Sequence, residues 1–140
     1  MDAYGHVNNV QFLRLLEDAR VIAFAARGSD EGGSVVDTGL LVARSEIEYL
    51  EPLVYRPTPV AIDLWVTAVA GASFDMGYEV RDETGSDGGR PRVYARAETT
   101  LVLYDLMGHR PRRISEKERE ALRDWQGDPV AWRKRRLRTS

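Results

Sequence analysis

The chain of 140 residues contains no cysteine. That excludes disulfides, thiolate-ligated zinc or iron–sulfur clusters and a thiolate nucleophile. Histidine is nearly as scarce, with only His6 and His109, so a histidine-rich metal centre is ruled out, although counting does not rule out a carboxylate site for a hard cation. No run approaches the ~18 consecutive apolar residues of a membrane span, and no basic-then-apolar leader is visible. The expectation is a cytoplasmic protein that does not engage a membrane.

What is present is ordinary in bulk: 43% hydrophobic and 30% charged residues, expected to form one domain with a real core. The net charge of −2 hides an asymmetry, because residues 1–108 carry 9 basic against 17 acidic groups and residues 109–140 carry 11 against 5. Arginine supplies 18 of the 20 basic residues, and its planar fork suits phosphate better than an ammonium does.

Over residues 10–26, Val10, Leu13, Leu16, Ala19, Val21, Ile22, Ala23, Phe24 and Ala26 keep helical spacing and cover more than one stripe, which predicts a mostly buried helix. Asn8, with Gln11 three residues on, forms a capping-box pattern at its start, and Gly28 with Ser29 ends it. Residues 40–50 and 60–70 alternate apolar with polar and read as half-buried strands. Between them "EPLVYRPTP" is too rich in proline for a central strand. Gly71 and Ala72 turn the chain into a third strand over residues 73–81, giving a hairpin. After the loop "DETGSDGGRP" a fourth strand spans residues 92–105. Ser115 and Glu118 form a second capping box, opening a short helix that runs to about Trp125. The domain therefore covers residues 1–125, and residues 126–140 read as a basic tail with no packing signal. One helix followed by antiparallel strands, with no βαβ repeat, is an α+β arrangement. Its sheet edges need cover, and pairing of two copies would supply it.

The opening "MDAYGHVNNVQF" places an acid, Asp2, and a turn glycine, Gly5, directly before a helix beginning near Asn8 or Asn9. Free amides at a helix start can hold an oxyanion. A carboxylate beside such amides makes an acyl-transfer site without serine or cysteine. Glu17, flanked at i−4 and i+4 by Leu13 and Val21, is expected on an apolar face that desolvates it. The same string also fits a plain turn and helix cap, with His6 as a turn donor and Glu17 paired to Arg14 or Arg20. From the residue chemistry alone both readings stand.

"DAYGHVNNVQFLRLLEDAR", followed in order by "IEYLEPLVYRPTPVAIDLWV", "GASFDMGYEV" and "AETTLVLYD", resembles the 4-hydroxybenzoyl-CoA thioesterase-like acyl-CoA thioesterases of the hotdog fold. The resemblance implies a long helix wrapped by a curved antiparallel sheet, in homodimers or homotetramers with sites at the dimer interface. It assigns Asp2 as the carboxylate acting on the thioester carbonyl, directly or through a water. Asn9 becomes the helix-start residue whose backbone N–H polarises that carbonyl, and Glu17 the helix carboxylate lining the site. Gly5 and His6 fall in the turn beside the substrate, and Asn8 in the cap.

The substrate is then an acyl-CoA, with no further cofactor and no metal. Arg56, Arg110, Arg112 and Arg113 are the candidates for the phosphates of coenzyme A, and Tyr49, Trp65, Phe74 and Tyr78 for an apolar acyl pocket. Relatives carry a strand before the aspartate, which makes Met1 an expected internal methionine of a longer protein. The rival readings are a non-catalytic hotdog that binds acyl thioesters and, from "RKRRLR", a nucleic-acid partner. Such a charge run ordinarily marks a solvated terminus, so no nucleic acid is expected.

Overall fold

The computed structural model describes residues 9–27, 39–53, 59–83 and 92–133. Helix α1 spans Asn9–Arg27 and is followed by β1 (Leu40–Tyr49), β2 (Val60–Val69), β3 (Ser73–Asp82), β4 (Val93–Asp105), β5 (Arg110–Pro111) and α2 (Glu116–Arg123). The four long strands form an antiparallel sheet in the order β1-β4-β3-β2, with β5 added to the end of β4. Residues 28–38, 54–58 and 84–91 lie outside the described residues, as does Asn8, the expected cap.

Alternation along the strands sorts the sheet into two faces. Phe74, Met76, Tyr78 and Val80 of β3 are buried, together with Ala95, Ala97, Leu101 and Leu103 of β4. This inner face receives α1. Along the helix Phe12, Leu16 and Phe24 are buried on one row, each contributing about 1.5–3 kcal/mol by leaving water. The Phe12 ring meets Tyr49 edge-on at 5.1 Å. Twelve residues later Phe24 meets Phe74 edge-on at 6.3 Å and stacks on Trp125 at 5.2 Å. The helix thus runs from the Tyr49 end of the sheet to the Phe74 end.

The helix is less buried than its sequence predicts. Leu13, Val21 and Ile22 are 45%, 54% and 69% exposed, because one sheet covers one row and the second apolar stripe faces outward. Leu41 and Val42, on the edge strand β1, are about half exposed as well.

The outer face is a lattice of ion pairs. Arg81 binds Asp63 at 2.7 Å, Arg96 binds Glu79 at 3.3 Å, and Arg44 joins Glu46 and Glu98. Over this face runs a segment that the sequence suggests is tail. After α2 the backbone pairs with β2 at Val66, where the Val66 N–H donates to Trp125 O and the Gly127 N–H to Val66 O, both at 2.9 Å. It then crosses all four long strands as a strap. The Trp65 indole donates to Asp128 O at 2.6 Å, Val130 is buried, Arg96 donates to Ala131 O at 2.9 Å, and the Arg133 N–H donates to Glu48 at 2.9 Å. Gly77 makes room for it, because a Cβ there would lie 2.8 Å from the Trp65 ring and 3.0 Å from Val130. Packing therefore extends at least to Arg133. The basic run from residue 134 onward lies outside the described residues.

Helix α2 forms as its capping box predicts: Ser115 Oγ accepts from the Glu118 N–H and the Glu118 carboxylate accepts from the Ser115 N–H. Leu122 anchors it in the core.

Candidate active site

The site is built on the first half of α1. The helix begins at Asn9, leaving its first-turn amides without intrahelical acceptors. Contact between Phe12 and Tyr49 fixes where those amides lie relative to the sheet. Burial raises the Tyr49 phenol above its ordinary acid constant, so this ring is a neutral neighbour to the helix start. One to two turns on, Leu13, Arg14, Glu17 and Asp18 line a groove of roughly 410 Å³. Glu17 stands in this groove exposed. The desolvation expected from its apolar flanks is absent in the single chain, because Leu13 and Val21 themselves face outward.

Asn9 and Glu17 are therefore brought onto one element, eight residues and about 12 Å of helix apart. Asp2, Gly5, His6 and Arg56 lie outside the described residues. The structure does not bring Arg110 and Arg112 to the helix start. β4 pairs with Tyr49 at Ala95 and with Pro111 at Tyr104, a separation of about 30 Å at the rise of a strand. Arg110 and Arg113 are exposed at that far end. Arg112 is engaged otherwise: its two terminal nitrogens bind the two Glu118 oxygens at 2.9 and 2.6 Å. That pairing raises the Arg112 guanidinium and holds the Glu118 carboxyl at about 2. In this chain the Arg112 fork is engaged by the Glu118 carboxylate, where it braces the α2 cap.

Of the aromatic pocket candidates, Phe74 and Tyr78 point inward and are buried, Tyr49 points inward beside Phe12, and Trp65 lies on the outer face beneath the strap. One inner-face feature escapes a reading of the sequence. Arg20 sits on the same helix row as Phe12, Leu16 and Phe24, and its guanidinium donates to the Tyr78 hydroxyl at 3.0 Å, which lies 2.6 Å from Thr99 Oγ1. Tyr78 and Thr99 are 0% and 3% exposed. The available signal was positional, a charged residue four places from an apolar neighbour on either side.

Among the described residues no group of three His, Asp or Glu side chains could hold a metal ion, and no helix is long and apolar enough to cross a membrane.

Comparisons with known proteins agree on the architecture. The model of the thioesterase-like superfamily matches residues 1–125. A Thermus thermophilus thioesterase, solved as a complex with coenzyme A and Zn, is 28% identical and superposes with a TM-score of 0.69 over 92% of this chain and 87% of its own. YbaW, a probable thioesterase of Escherichia coli, is 25% identical with a TM-score of 0.73 over 89% of this chain and 90% of its own. Slr0204, a 1,4-dihydroxy-2-naphthoyl-CoA thioesterase of Synechocystis, shares the hotdog fold at 18% identity, with a TM-score of 0.71 over 89% and 88% of the two chains. No curated protein matches the sequence significantly.

Proposed function

Because the chain belongs to the thioesterase-like superfamily, we propose that it hydrolyses an acyl-CoA thioester to a free acid and coenzyme A. The Asp2 carboxylate acts on the carbonyl carbon. It either adds there, expelling the thiolate and leaving a mixed anhydride for water to open, or takes a proton from a water that adds in its place. The carbonyl oxygen gains negative charge in either route, and the Asn9 backbone N–H at the start of α1 is the donor that meets it. Glu17 lines the same groove, where it orders the attacking water or the thioester, and Gly5 and His6 shape the turn that presents Asp2. The substrate supplies the coenzyme, and no metal or redox group takes part.

The single observation that carries this reading is that α1 begins at Asn9 and carries the Glu17 groove within its next two turns, inside the family-matched stretch. The coenzyme A in the Thermus relative supports a CoA thioester as substrate. We also propose a homodimer or homotetramer, supported by the outward stripe of Leu13, Val21 and Ile22 and by β1, an edge strand in the described sheet. A second copy would desolvate Glu17. Arg110 is exposed at the other end of β4 from Ala95, the partner of Tyr49, and would serve a phosphate at a site shared between copies.

The test is free-thiol release from a panel of acyl-CoAs by the protein and its Asp2→Asn variant. Turnover that falls at least ~100-fold in Asp2→Asn is the expected result. Binding of acyl-CoA without turnover would instead establish the non-catalytic hotdog, and neither binding nor turnover would end the acyl-CoA reading.

A further inference from the structure

We propose that Arg20 is a positioning residue that, through Tyr78 and Thr99, fixes the rotation of α1 on the sheet and so aims Glu17 and the helix-start amides at the substrate. The proposal rests on the thioesterase reading for its effect on rate, and on geometry alone for the pin itself.

A row that buries Phe12, Leu16 and Phe24 would ordinarily carry a fourth apolar residue between the last two. It carries a guanidinium instead. Among the described residues no carboxylate lies within ion-pairing distance of it, and its bond is to a phenol hydroxyl. Arginine only donates, so the Tyr78 oxygen accepts from it. The same hydroxyl shares a second hydrogen bond with Thr99 Oγ1, 2.6 Å away. Thr99 belongs to β4 and Tyr78 to β3, so the chain of hydrogen bonds ties the helix to two central strands.

Apolar packing is non-directional and tolerates a helix that slides or turns slightly. A hydrogen bond with a ~3 Å optimum does not. In coiled coils a single polar residue on an apolar row fixes register at a cost in stability, and Arg20 occupies the corresponding position here. Glu17, three residues earlier, projects about 60° around the helix from Arg20. Pinning one therefore sets the azimuth of the other. Long helical side chains also lean toward the N-terminus, which places the Arg20 anchor beneath the turn that carries Glu17.

Four variants test the pin: Arg20→Met, Arg20→Lys, Tyr78→Phe and the Arg20→Met/Tyr78→Phe double. With a cleaved acyl-CoA, Arg20→Met and Tyr78→Phe are each expected to lower kcat on the order of 10- to 100-fold, the loss attached to displacing a catalytic group by about 1 Å. KM stays within about twofold, because the groove itself is untouched. Arg20→Met does not lower the melting temperature, since a methionine continues the apolar row in place of a partly buried charge. The double variant is no worse than the worse single one, as expected of residues acting as one unit, and Arg20→Lys, which keeps a donor, recovers most of the rate. A wild-type kcat in Arg20→Met, or activity lost only in step with the folded fraction, overturns the proposal. Should the wild-type chain cleave no thioester, the hydrolase reading fails separately. Amide exchange then decides: α1 amides of residues 13–24 exchanging ~10-fold faster in Arg20→Met, with β3 and β4 unchanged, upholds the pin, and unchanged α1 exchange removes it.

Discussion

Replacing Glu118 by glutamine removes the charge from the cap of α2 while nearly keeping its shape. The carboxylate accepts from Arg112 at 2.9 and 2.6 Å and from the Ser115 N–H at 2.9 Å. These partners, Arg112 first among them, hold its acid constant at about 2 against an ordinary 4.5, with burial opposing. At about 1.4 kcal/mol per tenfold change, that depression corresponds to a ceiling of about 3 kcal/mol of stability. The Glu118 side chain is 10% exposed and Arg112 25%, so water screens part of the interaction, and the expected loss in Glu118→Gln is about 1–2 kcal/mol at neutral pH. The folded value lies below the unfolded one, so the contribution is complete above pH 4.5 and disappears as the pH falls through about 2. Urea unfolding of both proteins at several pH values measures it. The gap between them should be widest at pH 7, narrow below 4.5 and close near 2. A gap that is the same across this range would refute the electrostatic reasoning and make the cap a matter of packing.

Gly77→Ala should cost about 1–3 kcal/mol, because its new methyl would meet the Trp65 ring at 2.8 Å and Val130 at 3.0 Å. Faster tryptic cleavage after Arg133 would report a lifted strap, and an unchanged urea midpoint would count against the close fit. His109 holds a positive φ of 53°, so His109→Gly should raise stability by about 0.5–1 kcal/mol in thermal melts. A lower melting temperature would mean that the imidazole makes a contribution larger than the relief of strain.

Much of the fold was legible because its signals are local. Alternation placed the four long strands to within a residue or two, and Ser115 with Glu118 marked α2 through a cap that needs only neighbours in sequence. The two-residue β5 carries no sequence signal, since so short a strand has no period to detect. What stayed hidden depends on distant partners. Apolar periodicity on α1 cannot say whether one side or both will be covered, so Leu13, Val21 and Ile22 read as core and emerged exposed. Arg112 looked like a free cation because its carboxylate partner was assigned to a helix cap, when Glu118 serves both roles. The catalytic assignment of Asn9 and Glu17 came from resemblance. The physics of the residues alone stops at a choice between a cap and a site.

The strap also orders events in time. Residues 126–133 follow every described strand, yet Val130 fills the slot over Gly77 and the strap's backbone meets Trp65, Arg96 and Glu48 on three different strands. On a ribosome that builds from the N-terminus, the sheet can pair and α1 can dock while the Trp65 slot still stands open. During that interval the nascent protein presents an apolar cleft on its otherwise charged face, and residues 126–133 are the stretch that closes it. A chain interrupted before Val130 would keep that cleft open for good, offering chaperones and other half-made copies the same binding surface.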